Sequence, residues 1–385
     1  MKKVYFAIYD MGAGHRSTAN ALKEVIESCN LPWEVEIVEV LKEVLNTTFP
    51  QYFYNTWVLK HKWAKLINDP ISVPIFKARI LLMHPIWRYQ LRKFWRKKQP
   101  DLVVSLMPLL NRVLFESLQP EMTEVPFVTS VTDFADCPKH FWIEMQNQLM
   151  ICPSRRVVSQ AMAAGYSNDH LFQTSGVVIH PRYSQPVPID RTVQRRTLNL
   201  HPEIPTGLVC FGSHGSREML EIAERLNDGR TEAIQLIFVC GRNVQLAQKL
   251  RQMQTRYEKH VEGFTEELPT YMKMSDFFIG KPGSVGVSEA IALGLPVITE
   301  CNSRTTLFQE RATAHWLTEN EFGLVVPSFK KISDAVQALL NPDAFEHYRD
   351  RVNQYNNKAA FEVIDILEKI LDPSISQSVP QSLIV

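Results

Sequence analysis

Short apolar runs alternate with amphipathic stretches along most of the chain. Residues 3–9 have the pattern of a buried strand, residues 16–28 carry apolar side chains at helical spacing, and residues 34–40 have a second strand pattern. Further strand patterns in the N-terminal half lie at residues 102–106, 125–131, 148–152 and 177–180. This strand–helix–strand order predicts a parallel, doubly wound sheet.

A proline-rich stretch divides the chain. Residues 181–205 contain five prolines and little apolar periodicity, which predicts an interdomain linker. A second β/α series follows over residues 206–345. We therefore predict an α/β protein with two doubly wound, Rossmann-like domains, residues 1–180 and 206–345, which face a cleft at the carboxyl ends of their strands. We expect residues 346–371 to form C-terminal helices that pack toward the N-terminal domain, and residues 372–385 to be disordered.

Composition excludes several classes of protein. The 385 residues are 45% hydrophobic and 22% charged with a net charge of +1, which is ordinary for a globular protein and does not favour nucleic acid as a partner. The six cysteines form no CxxC pair, so neither a zinc site nor a thioredoxin-like motif is indicated. No apolar run approaches the roughly 20 residues that span a bilayer.

A histidine with neighbouring glycines follows the first predicted strand. Gly12 and Gly14 let the backbone approach a ligand, and the helix that begins here offers free N–H groups. The helix dipole is expected to lower the pKa of His15, which keeps the imidazole neutral as a general base requires. His15 is therefore a candidate catalytic base. The alternative is a turn histidine that caps the helix or faces solvent.

Two loops in the second half have the same strand-to-helix placement as the loop of His15. Their candidate ligand-binding residues are Gly212, Ser213, Lys281, Gly283 and Ser284. Glycines, hydroxyls and a lysine at helix N-termini suit phosphate, so the three loops indicate a phosphate-bearing nucleotide. Glu289 lies one turn inside the helix that follows, where a carboxylate suits a sugar diol. The alternative is a glutamate that the helix dipole favours.

Four segments resemble the motifs of one enzyme family. They are GAGHRSTA (12–19), VTDFADCPKHFW (131–142), VEGFTEELPTYMKMSDFFIGKPGSVGVSEAIALGLPVI (261–298) and FQERAT (308–313). Over the chain to about residue 370, the sequence resembles the monogalactosyldiacylglycerol synthase and diacylglycerol glucosyltransferase group of glycosyltransferase family 28. The resemblance implies a GT-B fold and an inverting transfer of a hexose from a UDP-sugar to a lipid, with diacylglycerol as the expected acceptor and no cofactor or metal.

The resemblance also implies roles for single residues. His15 would be the base for the acceptor hydroxyl, Asp133 would orient or assist it, and Glu289 would bind the ribose. The donor-binding residues would be Gly212, Ser213, Gly241, Phe264 beside uracil, Lys281, Gly283, Ser284, Glu289, and Gln309 and Glu310 at the sugar. His140 and Trp142 either line the acceptor entrance or are packing residues, and an aspartate at a strand end such as Asp133 also caps turns.

The chain departs from the family motifs at several positions. Met11 and Ala13 stand where the family has glycines, Thr313 stands where it has asparagine, and Phe308 precedes Gln309. The last two positions lie at the sugar end, so the donor stays open among UDP-galactose, UDP-glucose and UDP-N-acetylglucosamine. Two alternatives also stay open: a UDP-N-acetylglucosamine-dependent transferase or epimerase with another substrate, and a non-catalytic nucleotide-sugar-binding protein.

A basic, aromatic segment lies between residues 60 and 98, with 11 Lys or Arg side chains and one acid. The residues expected to contact a membrane are Trp87, Arg88, Arg92, Lys93, Trp95, Arg96, Lys97 and Lys98. Cations are attracted to anionic headgroups and tryptophan favours the interface, so we predict peripheral association with the cytoplasmic face of an anionic membrane. One alternative is a solvated basic face with buried aromatics. Another is nucleic acid, although no nucleic-acid motif accompanies the segment.

Overall fold

The computed structural model describes residues 1–11, 14–47, 52, 73–146, 148–184, 188–229, 233–304 and 306–372. Gly12 and the tail from residue 373 therefore lie outside the described residues. The chain divides into two compact units. Unit 1 comprises residues 1–181, 307–312 and 357–385, and unit 2 comprises residues 182–306 and 313–356.

Each unit contains a six-stranded sheet. The strands of unit 1 are β1 (Lys2–Ile8), β2 (Trp33–Glu39), β3 (Leu102–Ser105), β4 (Phe127–Ser130), β5 (Leu149–Cys152) and β6 (Leu171–Gln173). Those of unit 2 are β7 (Thr206–Cys210), β8 (Gln235–Val239), β9 (Lys259–Glu262), β10 (Phe277–Gly280), β11 (Val297–Glu300) and β12 (Gly323–Val326). The α-helices are α1 (Gly14–Ser28), α2 (Val73–Lys98), α3 (Asn111–Leu118), α4 (Arg155–Ala163), α5 (Arg191–Thr197), α6 (Glu218–Arg225), α7 (Val244–Gln252), α8 (Leu268–Met274), α9 (Ser284–Ala292), α10 (Phe308–Glu319), α11 (Ile332–Leu340), α12 (Pro342–Gln354) and α13 (Ala359–Leu371).

The sheet of unit 1 is parallel and has the order β2-β1-β3-β4-β5-β6. Val4 of β1 lies opposite Val35 of β2 on one side and Leu102 of β3 on the other. The strand order reverses between β1 and β3, and a reversal of this kind opens a ligand-binding crevice at the carboxyl ends of the two strands. The turn that leads to His15 follows β1 at this point.

The side chains of β1 alternate between two apolar layers, because successive strand residues point to opposite faces. Val4, Phe6 and Ile8 lie in the layer that contains residues of α1 and α13. Tyr5 and Ala7 lie in the layer that contains residues of α2. Unit 1 is therefore a sheet with helices on both faces.

The tryptophans of α2 are core residues. Trp87 and Trp95 are 1% and 0% exposed, and they lie with Leu91 on one face of the helix at a spacing of four residues. The Trp95 indole donates to Oγ of Ser117 at 2.9 Å, and its ring packs edge-on against Tyr5 with centroids 5.7 Å apart. This corrects the expectation that Trp87 and Trp95 contact a membrane.

Several of the α2 cations contact acceptors within unit 1. They are Arg88 with Glu116, Arg92 with the carbonyl of Gln119, Arg96 with Glu121, and Lys98 with Glu36. Lys93 and Lys97 are exposed, and no carboxylate in the described parts of the chain pairs with them. The set of basic residues expected to face a membrane is therefore revised to these two lysines.

Unit 2 has a parallel sheet with the order β12-β11-β10-β7-β8-β9. If β7 is counted as the first strand of this sheet, its order matches that of the dinucleotide-binding fold. The strand order reverses between β7 and β10. Gly280, at the end of β10, lies opposite Cys210, at the end of β7. The loops predicted to bind phosphate leave the sheet from these two neighbouring strands.

The proline-rich residues expected to form a linker belong to unit 2 from residue 182 onward. Asp190 accepts a hydrogen bond from Val193 N and caps α5. The buried Arg195 guanidinium of α5 pairs with Asp276 at 2.7 Å and donates to the Met274 carbonyl at 2.8 Å. This packing corrects the prediction of a separate connection. Within the described residues, no helix is long and apolar enough to cross a membrane.

Candidate active site

An ion pair joins the first turn of α1 to the residues that follow β1. Arg16 donates through Nε and Nη2 to the two carboxylate oxygens of Asp10, at 2.7 and 2.8 Å. A two-point contact between planar groups fixes orientation as well as distance. Gly14 is the first residue of α1. His15 is the second residue of α1 and directly precedes the arginine that pairs with Asp10.

His15 is half-buried beside two aromatic rings. Its ring centroid lies 5.0 Å from that of Tyr9 and 6.2 Å from that of Trp142. Burial lowers the pKa of His15 to about 4, while the Leu106 carbonyl and Asp10 act in the opposite direction. Nδ1 is buried and has no hydrogen-bond partner in the described parts of the chain. The imidazole is neutral at pH 7, as expected, but the cause is burial.

The segment 131–142, which resembles a family motif, is folded around Asp136. Its carboxylate accepts hydrogen bonds from the backbone N–H groups of His140, Phe141 and Trp142, at 2.7 to 2.8 Å. The amide of Asn111 donates to the Trp142 carbonyl at 3.0 Å. The segment is thus an ordered loop whose shape depends on one buried carboxylate, a role that we did not predict.

This loop brings Asp133 and Trp142 to the site of His15. Trp142 is fully buried, and its indole Nε1 donates to Oδ2 of Asp133 at 2.9 Å. The same indole lies beside the His15 ring, so it connects the aspartate to the histidine. His140 is exposed, and its ring Nδ1 lies 3.3 Å from the Ile143 carbonyl. Trp142 thus both packs in the core and faces the candidate base.

In unit 2, the predicted diphosphate loop after β7 is closely packed against the end of β8. The Ser213 carbonyl accepts a hydrogen bond from Arg242 N at 2.8 Å. Gly212 and Gly241 have φ of +77° and +56°, which favours glycine. A Cβ on Gly241 would lie 2.3 Å from the Ser213 oxygen, so only glycine allows this approach.

The second predicted phosphate loop joins β10 to α9. Gly283 is the N-cap of α9, with extended backbone, and the first turn carries no acidic residue. The N–H groups of Ser284 and the residues after it belong to this turn, and Lys281 precedes it. The N-terminus of this nine-residue helix, with a lysine beside it, is suited to bind an anion.

Glu289 lies inside α9 and is 8% exposed. Burial raises its pKa to about 8, and this effect outweighs the Arg182 charge and a hydrogen bond with Tyr183, which both lower it. Arg182 and Tyr183 were not singled out from the sequence, because they lie more than 100 residues away in the stretch expected to be a linker. With a pKa of about 8, the carboxyl expected to bind ribose keeps its proton at pH 7.

The remaining predicted donor residues lie at two places. Phe264 follows β9 and is 53% exposed. Gln309 and Glu310 are in the first turn of α10, where Gln309 is half-buried and Glu310 is buried. Thr313, one turn later, is fully buried, and its Oγ1 has no hydrogen-bond partner in the portion of the chain described. These positions stay predictions for the uracil and sugar ends of the donor.

Family comparisons match both units. The family described as monogalactosyldiacylglycerol (MGDG) synthase matches residues 15–179, which contain His15, Asp133 and Trp142. The glycosyltransferase family 28 C-terminal domain matches residues 206–342, which contain the loops after β7 and β10. Most of the chain is thus covered by two glycosyltransferase family models, one for each half. The resemblance predicted from the sequence is confirmed.

Individual relatives agree with this family. MGDG synthase from Spinacia oleracea is 25% identical over 390 residues, covering 97% of this chain and 73% of that protein. A probable MGDG synthase from Nicotiana tabacum is 26% identical over 354 residues, covering 89% of this chain. The chain spans only 65% of the length of the tobacco protein.

Solved structures confirm the GT-B fold. MurG from Acinetobacter baumannii has a TM-score of 0.60 at 11% identity and covers 96% of this chain and 100% of its own. A putative UDP-N-acetylglucosamine 2-epimerase from Listeria monocytogenes has a TM-score of 0.61 at 14% identity, over 100% of this chain and 99% of its own. Because a putative epimerase also shares this fold, fold similarity does not choose between sugar transfer and epimerisation.

Proposed function

We propose that this chain transfers a hexose from a UDP-sugar to diacylglycerol, with inversion at the anomeric carbon and without a metal. The observation that supports this most directly is the position of His15, a neutral imidazole at the strand-order reversal of unit 1. Its relatives are named MGDG synthases, which supplies the class of acceptor and donor. The phosphate-suited loops of unit 2 support a nucleotide donor.

The proposed reaction needs one base and one stabilised leaving group. His15 accepts the proton of the acceptor hydroxyl while the new glycosidic bond forms and the bond to UDP breaks. The imidazolium that results is favoured by Asp10 and by the Leu106 carbonyl, the two influences that raise the pKa of His15. The N-terminus of α9 and Lys281 stabilise the negative charge of the departing UDP.

The exposed side of α2 supports a lipid acceptor. Ile75, Leu82, Ile86 and Tyr89, here called the α2 stripe, are 52% to 79% exposed and repeat at helical spacing. Lys93 continues the same side of the helix, and Lys97 lies one turn further. An apolar stripe that ends in basic side chains suits the interface of an anionic bilayer. We propose that this stripe seats unit 1 on the membrane that carries the acceptor.

A donor screen tests the reaction. Purified protein is incubated with diacylglycerol in phosphatidylcholine–phosphatidylglycerol vesicles and with UDP-galactose, UDP-glucose or UDP-N-acetylglucosamine. We expect one donor to give a glycosyl diacylglycerol, with no loss of activity in EDTA. Turnover of UDP-N-acetylglucosamine without acceptor would instead support an epimerase, and UDP binding without turnover a non-catalytic protein.

Substitution of His15 tests the assignment of the base. We expect His15→Ala to lower kcat by about 100-fold or more, with little change in UDP affinity. His170→Ala is the matched control, because His170 is in the same unit and contacts Ser167 and Asp169 rather than the site. A His15→Ala protein with normal turnover contradicts the role of His15.

Vesicle sedimentation tests the membrane surface. Leu82→Glu with Ile86→Glu should abolish binding to the same vesicles, whereas Met162→Glu on α4 should not, although Met162 is 48% exposed. Lys93→Gln with Lys97→Gln should weaken binding and reduce its dependence on salt. Vesicle binding that survives both pairs of substitutions would mean that the α2 stripe is not the docking surface.

A further inference from the structure

Arg242 follows β8 directly, beside the predicted diphosphate loop after β7. Its N–H donates to the Ser213 carbonyl, and the close approach of Gly241 to the same oxygen keeps the two loops in contact. The backbone of Arg242 therefore has a fixed position at the carboxyl edge of the sheet. The side chain itself is exposed.

The Arg242 guanidinium lies over the exposed ring of Phe264, with Cζ 4.7 Å from the ring centroid. The turn that carries Phe264 is held by Glu262, whose carboxylate accepts hydrogen bonds from Gly263 N at 2.7 Å and from Tyr271 Oη at 3.0 Å. No carboxylate in the described parts of the chain pairs with the Arg242 guanidinium. It is thus an oriented cation without an anionic partner.

The order of the strands places this cation within the candidate donor site. β10, β7, β8 and β9 are neighbours, so their terminal loops form a row in which Lys281, Ser213, Arg242 and Phe264 follow one another. Adjacent strands are about 4.8 Å apart, so Arg242 is one strand from the Ser213 loop and one strand from Phe264. A guanidinium binds phosphate oxygens with two parallel hydrogen bonds, and such a pair is stronger than an exposed cation–π contact.

We propose that Arg242 binds the diphosphate of the nucleotide donor, and that the face of Phe264 holds its guanidinium ready for this contact. The inference rests on the proposed use of a UDP-sugar. It adds the positive charge of Arg242, a residue that neither motif spacing nor the resemblance singled out, to the positive field of the α9 N-terminus and Lys281.

Calorimetric titration of the full chain with UDP and with uridine tests this contact, because uridine lacks the phosphates. We expect Arg242→Gln to weaken UDP binding by about 10- to 100-fold, as for loss of a charged hydrogen-bonded pair, and to leave uridine binding within about 2-fold. Arg242→Lys should lose less, and the salt dependence of UDP binding should decrease in Arg242→Gln. Arg349→Gln is the matched control, since Arg349 lies over Phe345 at 5.5 Å on α12 of the same unit.

The outcomes separate this inference from the proposed function. Wild-type protein that binds no UDP overturns both. Wild-type protein that binds UDP, together with an Arg242→Gln variant that binds it equally well, overturns the inference alone. Equal weakening of UDP and uridine binding also overturns it, because the contact would then be to the base. An unchanged thermal midpoint in Arg242→Gln verifies that the variant is folded.

Discussion

The protonation of Glu289 predicts an unusual pH dependence of stability. Burial raises the pKa of this carboxyl from 4.5 to about 8, more than Arg182 and Tyr183 lower it. At pH 7 the native state therefore keeps a proton that the unfolded chain releases. Glu289→Gln retains the size of the side chain but cannot ionise, so the variant removes this source of pH dependence.

The sign and size of the effect follow from linkage. Between pH 4.5 and 8 the Glu289 carboxyl binds more protons in the native state than in the unfolded state, so its contribution to the free energy of unfolding falls as pH rises through this window. The two pKa values differ by about 3.5, which corresponds to about 5 kcal/mol in total. Between pH 5 and 9 the wild-type protein should lose about 4 kcal/mol more than Glu289→Gln.

Urea unfolding at pH 5, 7 and 9, followed by far-ultraviolet circular dichroism, measures this difference. Glu224→Gln is the control, because Glu224 is an exposed glutamate on α6 of the same unit. We expect the control to follow the wild-type protein at every pH. If Glu289→Gln also follows it, Glu289 ionises as an exposed carboxyl does, and the argument from burial is refuted.

The same proton links stability to the proposed role of Glu289. Two hydroxyls of a ribose would donate hydrogen bonds to the carboxylate and favour its ionised form. UDP binding at pH 7 should therefore release a proton. Calorimetry in two buffers with different ionisation enthalpies measures that proton, and Glu289→Gln should not release it. Equal proton release by both proteins would assign the proton to another group.

Three further predictions concern single contacts. Trp142→Phe keeps a ring beside His15 but removes the donor to Asp133, so kcat should fall about 10-fold at unchanged UDP affinity, and unchanged steady-state kinetics would contradict this. Asp276→Ala leaves the buried guanidinium of Arg195 without its carboxylate, and unit 2 should lose about 3–5 kcal/mol in urea unfolding. The contribution of His15 to the free energy of unfolding should rise from pH 4 to 6.5, because the unfolded chain binds that proton first, so in urea unfolding the difference between the wild-type protein and His15→Gln should grow over this range.

The sequence was informative where a pattern repeats along one element. Apolar periodicity predicts most strands of the parallel sheets, although the last strand of unit 1 is Leu171–Gln173 and not residues 177–180. The loops after β1, β7 and β10 are predicted at strand ends because a strand pattern precedes each one. The same reasoning failed for α2, which has apolar residues on two sides. Trp87 and Trp95 are buried while Leu82 and Ile86 are exposed, and composition alone does not distinguish these faces.

Contacts between segments that are distant in the chain could not be predicted from the sequence. Tyr183, which lies in the stretch 181–205 expected to be a linker, hydrogen-bonds with Glu289. Arg242, at the end of β8, contacts the ring of Phe264, at the end of β9. Prolines in that stretch suggested a connection, but the buried ion pair of Arg195 with Asp276 attaches it to unit 2. Each of these contacts depends on tertiary packing that periodicity does not encode.

Burial shifts the pKa values of His15 and Glu289 in opposite directions. Burial disfavours the charged form of both, so His15 loses its proton and Glu289 keeps one. In the proposed donor site, a neutral Glu289 would not repel an approaching diphosphate, and Arg242 and Lys281 would attract it with little opposition from this carboxyl. The ribose diol would then favour the ionised form of Glu289. On this proposal the negative charge of Glu289 is required only after the nucleotide has bound, and burial, by raising the pKa, delays that charge until then.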